Sequence, residues 1–379
     1  MHLAVVTPRY GNAIVGGAES AARSFATRIA VRGHRVEVIT STSTTLEWED
    51  QLEAGAAVED GVIVHRLRPR HPRHPRFSTI YARQIATGRF GDPELAQQYL
   101  IDQGPVLDGL GDLLDHINPD RVMSYPALYW PNLEAIRWNP AKAVLHPAAH
   151  PEPILGSSIY AETIPLAHRI VFQTRAEQQL LNSLFPLAPT KQIVLGLGAQ
   201  PTMHIVEPDQ PAPRARGDYL LALGRMQADK GAQLLGALYG LCRPSLDLVI
   251  AGPVTEGFDV ASGIELAGIV SDAERDLLLA NARAVVIASR YESFSLVAIE
   301  AMGAGVPLIV NGHNLVLVEQ IENSGAGIAF HDATELLGAI ELMATDASLA
   351  TTLGENGRRY VSASPSWDVI IDRYLAFLA

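Results

Sequence analysis

The chain has 379 residues, with 29 basic and 41 acidic side chains and a formal net charge of −12. At about 100 to 200 residues per domain, this length predicts two domains. The acidic excess argues against a general nucleic-acid binder, which needs a basic face. A lone cysteine, Cys242, excludes an intramolecular disulfide framework, and its place at the end of an apolar helix predicts a buried position without a functional role.

Short β-rich runs alternate with amphipathic helices over residues 1–196, which is typical of a parallel sheet covered by helices. Gly33 is predicted to end the first helix. We expect six or seven strands in this Rossmann-like domain, with candidates at residues 3–7, 36–40, 121–124, 143–146, 169–172 and 192–195. No apolar run approaches about 18 residues and no basic region precedes the first one, so we expect a cytoplasmic protein.

A stretch rich in Pro and Gly, residues 197–217, is predicted to link two domains. The alternation then restarts over residues 218–364, with strands expected at 219–223, 246–251, 284–288 and 308–310. A final helix within residues 365–379 is expected to pack back toward the N-terminal domain. The sequence therefore predicts an α/β fold of two doubly wound, Rossmann-like domains facing a central cleft.

Gly16 and Gly17 stand directly before a predicted helix, where paired glycines let the backbone approach an anion. The spacing is not G-x-G-x-x-G, which disfavours a nicotinamide enzyme. In the second domain, Gly224 and Arg225 end a strand and Lys230 precedes the next helix. This arrangement could neutralise a diphosphate, although a flexible turn at the first position and a solvated loop at the second are the alternatives.

The most informative stretch is ASRYESFSLVAIEAMGAGVPLIV, residues 288–310. Glu292 lies in a loop after a strand and Glu300 inside the following helix. Carboxylates accept hydrogen bonds from the vicinal hydroxyls of ribose or a hexose, and the amides from Ser293 to Leu296 lie at a helix start. For either glutamate alone, a structural or solvated role would be the default.

Together these motifs resemble the family 4 glycosyltransferases of the GT-B type, over nearly the whole chain. The matching segments are VGGAE at 15–19, GR and KG within 224–231, VIAGP at 249–253 and, most specifically, SRYESFSLVAIEAMGAGVP at 289–307. The resemblance implies retaining transfer of a hexose from a nucleoside-diphosphate sugar to a saccharide or glycolipid hydroxyl, as in polysaccharide biosynthesis. It favours GDP-mannose as donor, with UDP-glucose next, and no further cofactor.

The resemblance also implies residue roles. Glu292 would contact hydroxyls of the transferred sugar, Glu300 would hold the nucleotide ribose, and Arg225 with Lys230 would bind the diphosphate. The implied donor site comprises Gly16, Gly17, Gly224, Arg225, Lys230, Val270, Glu292, Ser293, Phe294, Ser295, Leu296, Val297 and Glu300. Backbone around Val270 would meet the nucleobase.

Members of the family place a histidine near the anomeric carbon, often within the letters HDEP. Here the sequence of residues 146–153 is HPAAHPEP, so His150 with Glu152 is the closest match and His146 is the alternative candidate. The implied catalytic set is therefore His150, Glu292, Arg225 and Lys230. The chain contains no D-x-D, and fixed positive groups could stabilise the leaving diphosphate, so we expect no metal and metal-independent turnover by front-face attack.

Residues 61–91 contain no acidic side chain but seven arginines between Arg66 and Arg89, and without them the rest of the chain would carry −19. The pattern predicts a loop followed by an amphipathic helix. It could bind a charged acceptor, form a solvated surface, or contact anionic lipids at the inner face of a membrane. Four aromatic residues in or near presumed loops could stack on sugar rings or pack in the core: Trp48, Tyr125, Tyr129 and Trp130.

Two other functions fit the same architecture. A nucleotide-sugar 2-epimerase would form an epimer from the donor alone, and a non-catalytic nucleotide-sugar binding protein would bind the diphosphate without turnover. The oligomeric state, the acceptor and the linkage formed stay open at this point.

Overall fold

The computed structural model describes residues 1–12, 14, 16–87, 93–198, 217–254, 258 and 260–379. These residues divide into two compact units, Met1–Leu197 with Val369–Ala379, and Gly198–Asp368. The predicted linker, residues 197–217, falls almost wholly outside the described residues. So do Val15 of the first glycine-rich motif and Arg89 of the basic segment.

The N-terminal unit contains one mixed sheet. Its strands are β1 His2–Val6, β2 Arg35–Ser41, β3 Gly55–Glu59, β4 Val62–Leu67, β5 Arg121–Ser124, β6 Ala143–Leu145, β7 Arg169–Phe172 and β8 Gln192–Val194. Its helices are α1 Gly17–Val31, α2 Arg76–Thr87, α3 Pro93–Gln103, α4 Leu110–Ile117, α5 Trp130–Trp138, α6 Ser158–Thr163 and α7 Arg175–Leu184. The described sheet has eight strands rather than six or seven, because β3 and β4 were missed.

The C-terminal unit repeats the arrangement with a purely parallel sheet. Its strands are β9 Tyr219–Leu223, β10 Asp247–Ala251, β11 Ile264–Gly268, β12 Ala284–Ile287, β13 Leu308–Asn311 and β14 Gly327–Phe330. Its helices are α8 Ala232–Cys242, α9 Asp272–Asn281, α10 Leu296–Ala304, α11 Leu315–Ser324, α12 Ala333–Thr345 and α13 Ala347–Ala363, and α14 Trp367–Leu378 follows.

Both sheets have the same strand order. The first runs β3-β4-β2-β1-β5-β6-β7-β8, with only β3 antiparallel to its neighbour, and the second runs β11-β10-β9-β12-β13-β14. Leaving β3 aside, the first six parallel strands of each unit follow the order 3-2-1-4-5-6 of doubly wound folds. The order reverses between β1 and β5 in one unit and between β9 and β12 in the other. Ligands of such sheets bind beyond the carboxyl ends of the strands at that switch point.

Strand alternation explains why helices cover both faces of the second sheet. On β9, Tyr219 and Leu221 belong to one buried cluster, whereas Leu220 and Ala222 belong to another on the opposite face. Successive side chains of a strand point to opposite faces, so a strand that is apolar throughout needs packing partners on both sides. The predicted α/β, doubly wound class is confirmed for both units.

Three smaller expectations need correction or comment. Gly33 ends α1 as predicted, with a positive φ of 82°. Cys242 is exposed rather than buried, and so is its neighbour Leu241 in the last turn of α8. The segment after Gly61 is not a loop at first, since Val62–Leu67 forms strand β4 before the loop and helix α2.

Helix α14 contributes to the core of the N-terminal unit. Ile370, Ile371 and Tyr374 are fully buried, whereas Val369 is 46% exposed. The Tyr374 ring lies 5.2 Å from Phe25 of α1, and Arg121 of β5 donates to the Leu378 carbonyl at 3.2 Å.

Among the described helices, none alone has the length and apolar character to cross a membrane. Only α12 and α13 together, which are bent by 100°, meet that criterion of length and composition.

Candidate functional site

Loops at the switch point of the C-terminal sheet carry the predicted anion-binding residues. After β9, the chain passes Gly224 and Arg225 and forms a single 3-10 turn, Ala228–Lys230, before α8 begins. Arg225 is exposed, and within the described residues it forms no ion pair. A free guanidinium on this loop can bind a phosphate without first breaking a protein contact.

Gly231 fixes the position of this loop against the loop that follows β12. It has a positive φ of 83°, and a Cβ added there would approach the Ala288 carbonyl oxygen to 2.7 Å. No other residue type fits that approach without a backbone shift. The Arg290 amide also donates to the Asp229 carbonyl at 2.7 Å. The loops after β9 and β12 are therefore packed together by backbone contacts.

Lys230 and Glu292 meet across the switch point. The Lys230 Nζ atom lies 2.7 Å from Glu292 Oε1, and both side chains are partly accessible, at 33% and 16%. The resemblance implied separate roles for the two residues, on the diphosphate and on the sugar. Their ion pair places an ammonium beside a carboxylate acceptor, which is an arrangement that can contact a phosphate and a neighbouring hydroxyl of one ligand.

The start of α10 adds backbone donors beside this pair. Ser295, the residue before α10, has a positive φ of 62°, which is uncommon for a residue with a side chain. Within the described residues, the amides of Leu296 and Val297 are without a backbone acceptor, as expected in the first turn of a helix. Gln320 of α11 donates to the Phe294 carbonyl and anchors the loop from behind.

Glu300 lies one turn further along α10, in a mostly buried setting. Burial raises the pKa of its carboxyl above the usual value, while Arg275 of α9 opposes the rise. Arg275 is itself paired with Asp276 at 3.0 Å and with Asp272 at 3.1 Å. Sequence reasoning missed Arg275, because helix α9 has no motif and its proximity to α10 depends on strand order.

Val270 follows β11 on the same sheet edge and is half-buried, while its neighbour Ile269 is 85% exposed.

In the N-terminal unit, Gly16 is the residue before α1 and Gly17 begins it. A Cβ at Gly16 would collide with the carboxylate of Glu19, which folds back and pairs with Arg9. Gly17 has open space beside its Cα. The predicted glycines thus lie at a helix start, and the two predicted glutamates, Lys230 and Arg225 share one edge of the second sheet.

The two candidate histidines have different surroundings. His146 is 1% exposed and lies in the core against the rings of Phe25, Tyr125 and Tyr374. Burial lowers the pKa of His146 to about 3, so its imidazole is neutral at physiological pH. His150 is partly exposed, and its Nδ1 lies 3.1 Å from Glu152 Oε1. A carboxylate there can orient a histidine and stabilise its charged form.

Glu177 holds the loop that carries His150. This carboxylate of α7 is 1% exposed and accepts the Ala149 amide at 2.8 Å and the Gln173 amide at 2.7 Å. Burial raises the pKa of Glu177 to about 8, although hydrogen bonds from backbone amides act to lower it. Because the loop after β6 bonds to α7 through this side chain, the position of His150 depends on Glu177. The sequence analysis did not identify it.

The arginines of the basic segment are mostly held by acidic side chains. Among the described residues, the pairs are Arg66–Glu59, Arg68–Asp50, Arg70–Asp108 and Arg76–Asp102. Trp48 and Tyr125 are buried, while Tyr129 and Trp130 are partly exposed. The segment is therefore not a uniform basic surface.

In the part of the chain that the structure describes, no three His, Cys, Asp or Glu side chains form a group that could hold a metal ion.

Comparison with known proteins agrees with this architecture. Residues 206–360 match the family "Glycosyl transferases group 1". Glycogen synthase of Mycobacterium tuberculosis is 30% identical over 172 residues, which cover 42% of this chain and 41% of that protein. The chain therefore spans about two fifths of the length of this curated relative.

Solved structures match over the full length. Sucrose-phosphate synthase of Thermosynechococcus elongatus has a TM-score of 0.72 at 16% identity, covering 99% of this chain and 97% of that one. Anabaena HepE, in complex with UDP and glucose, has a TM-score of 0.71 at 15% identity, covering 100% and 99%. At such identities the likeness shows the fold. Residues 206–360 are therefore similar to the group 1 glycosyltransferases, and the chain has a GT-B fold.

Proposed function

We propose that the protein is a retaining hexosyltransferase that uses a nucleoside-diphosphate sugar and a saccharide or glycolipid acceptor. The observation that carries this proposal is the Lys230–Glu292 pair at the switch point, beside the exposed Arg225 and the amide donors of α10. Positive groups and amides suit a leaving diphosphate, and the carboxylate suits a sugar hydroxyl. Glu300, on the same helix, would accept the ribose hydroxyls.

Two nucleotide sugars are candidates for the donor, and different observations support each of them. The resemblance favoured GDP-mannose, but the HepE complex with UDP and glucose adds support for UDP-glucose. We therefore propose both donors, with UDP-glucose tested first. For His150 we propose the role that the resemblance implies, contact with the transferred sugar during front-face attack. We also propose metal-independent turnover and a cytoplasmic location with contact to the inner face of a membrane.

A thermal-shift panel tests the donor half of the proposal. GDP, UDP, ADP and dTDP should be compared with EDTA present, because a ligand that binds only the folded state raises the melting temperature. We expect one nucleotide to stabilise the protein, and Lys230→Ala to lose that shift. Equal or no stabilisation by all four would contradict a nucleotide-sugar enzyme, and a shift that needs added divalent metal would contradict metal independence.

Incubation with the matching nucleotide sugar alone separates the proposed transferase from the alternatives. A transferase should show only slow hydrolysis until an acceptor is added. Formation of an epimer would favour the nucleotide-sugar 2-epimerase, and tight binding without any turnover would favour a non-catalytic binding protein.

A further inference from the structure

The loop that joins β12 to α10 is held by side-chain amides from the neighbouring strand and helix. Asn311, at the end of β13, donates to the Ala288 carbonyl at 3.3 Å, and Asn314, directly before α11, donates to the Ser289 carbonyl at 3.4 Å. These contacts are possible because β12 pairs with β13, so the chain that follows β13 runs beside the loop. The two asparagines therefore fix the first part of the loop, before Glu292.

Gln320 of α11 holds the last part of the loop, and it differs from the two asparagines. Its Nε2 atom donates to the Phe294 carbonyl, while its Oε1 atom is buried without a hydrogen-bond partner among the described residues. The side-chain oxygens of Asn311 and Asn314, by contrast, accept backbone amides of their own segment. Gln320 is only 4% exposed, and a buried oxygen without a donor costs free energy. Its net contribution to stability is therefore small, and its side chain serves the loop.

Ser295 follows Phe294 and has a backbone conformation that needs support from its neighbours. Its φ of 62° lies in the left-handed region, which is uncommon and costly for a residue with a side chain. Its hydroxyl does not cap α10, and the oxygen is buried without a hydrogen-bond partner in the part of the chain that the structure describes. The Ser295 side chain therefore does not stabilise the conformation of its own backbone.

The conformation of Ser295 sets the direction of the first turn of α10. The Ser295 carbonyl accepts the Ala298 amide at 3.2 Å, which closes this turn. The amides of Leu296 and Val297 lie in the same turn without a backbone acceptor among the described residues. Amides at a helix start bind anionic oxygen atoms. A change of φ at Ser295 would rotate these amides away from the direction that they now have.

We propose that Gln320 is a positioning residue for the nucleotide-sugar donor. By holding the Phe294 carbonyl, it keeps Ser295 in the left-handed conformation and so presents the Leu296 and Val297 amides to the donor diphosphate. The proposal rests on the proposed function and adds to it a residue that acts on the donor through the loop.

Gln320→Leu tests this role, because leucine has a similar volume but donates no hydrogen bond. The KM for UDP-glucose and for GDP-mannose should be measured by slow donor hydrolysis, together with the thermal shifts caused by UDP and GDP. For the donor that the wild type hydrolyses, we expect the variant to raise KM by about 10-fold, with a smaller change in kcat. The melting temperature without nucleotide should change little, since the unsatisfied oxygen of Gln320 is removed as well.

Asn356→Leu is the matched control. The Asn356 side chain of α13 also donates to a backbone carbonyl, that of Gly325 at 2.9 Å, but this contact lies at the far end of α11. Its loss should leave the donor KM at the wild-type value.

Two double variants separate positioning from a structural role. Glycine adopts the left-handed region at little cost, so Gln320→Leu with Ser295→Gly should have a donor KM about threefold lower than Gln320→Leu alone. Gln320→Leu with Ser295→Ala also lacks the hydroxyl but keeps the Cβ atom, and it should show no such recovery. Equal KM values in the two double variants would overturn the proposal.

A Gln320→Leu variant that loses stability but keeps the wild-type donor KM would assign Gln320 a structural role and overturn the proposal as well. The wild type separates this failure from that of the proposed function. If the wild type shows neither donor hydrolysis nor a nucleotide-induced thermal shift, the proposed function itself fails. If it shows both, and Gln320→Leu keeps both at wild-type values, only this inference fails.

Discussion

At the carboxyl edge of the N-terminal sheet, charged side chains are held mainly by partners inside the fold, whereas the candidate donor residues of the C-terminal sheet lie on partly exposed loops. Glu177 is buried and accepts the backbone amides of Ala149, in the His150 loop, and of Gln173, directly after β7. In the C-terminal unit, Arg225 is exposed and Lys230 meets Glu292 at a partly accessible ion pair. Exposed ion pairs contribute little to stability, while buried polar contacts are costly to break. Substitutions at the C-terminal site should therefore lower activity with little change in stability. Substitutions of the buried polar groups of the N-terminal unit should instead lower stability.

The largest effect is expected at the C-terminal edge. Lys230→Ala and Glu292→Ala should each lower the rate of sugar transfer by about 100- to 1000-fold, as loss of a group that stabilises developing charge does in other enzymes. The melting temperature should change little, because both side chains are partly exposed. Steady-state kinetics and calorimetry measure the two effects. Glu355→Ala, at an exposed position of α13, is the control, and near wild-type turnover in either of the two site variants would refute the site assignment.

An intermediate effect is expected in the interior of the N-terminal unit. Glu177→Leu leaves the amides of Ala149 and Gln173 without their acceptor, which should lower the free energy of unfolding by about 1–3 kcal/mol for each unsatisfied group. Chemical denaturation measures the loss. Glu177→Gln keeps one acceptor oxygen and should lose less, and Glu162→Leu on the surface should have a small effect. A Leu variant as stable as wild type would show that water satisfies these amides.

The smallest effect at neutral pH is expected at His146, and it should grow in acid. The folded-state pKa of about 3 lies below the usual 6.5, so the stability tied to the neutral ring is fully present above 6.5 and is lost as pH falls toward 3. That loss amounts to at most about 1.4 kcal/mol per pH unit. His146→Phe should match or exceed wild-type stability at pH 7 and lack this loss, as denaturation between pH 3 and 7 would show. His116→Gln is the exposed control, and parallel curves for His146→Phe and wild type would contradict a buried neutral imidazole.

The sequence predicted the fold well where strands are short and apolar throughout. Parallel strands buried on both faces have this pattern, and β9, β10 and β12 lie close to their expected positions. Strand β4 was missed because its last residues, His65, Arg66 and Leu67, begin a basic run that resembles a surface loop. Its arginine is nevertheless compatible with a strand, since Arg66 pairs with Glu59 of the adjacent β3. The pairing of side chains on the two strands of a hairpin cannot be inferred from composition.

The candidate site was predictable as a set of residues but not as a set of contacts. The glutamates and the lysine lie in recognisable motifs, but Lys230 and Glu292 are 62 positions apart, and only the order of β9 and β12 brings them together. Arg275 and Glu177 stand in helices without motifs, so only packing shows their relation to Glu300 and to the His150 loop.

Helix α14 makes the N-terminal unit discontinuous along the chain, because Val369–Ala379 joins Met1–Leu197 only after the whole C-terminal unit has been made. During synthesis, the first sheet must wait for the last helix before the rings of Phe25 and His146 are covered by Tyr374. Residues 1–197 produced alone would expose this apolar surface and should associate or aggregate. The C-terminal unit contains only the first two residues of α14, Trp367 and Asp368, so its folding depends less on that helix.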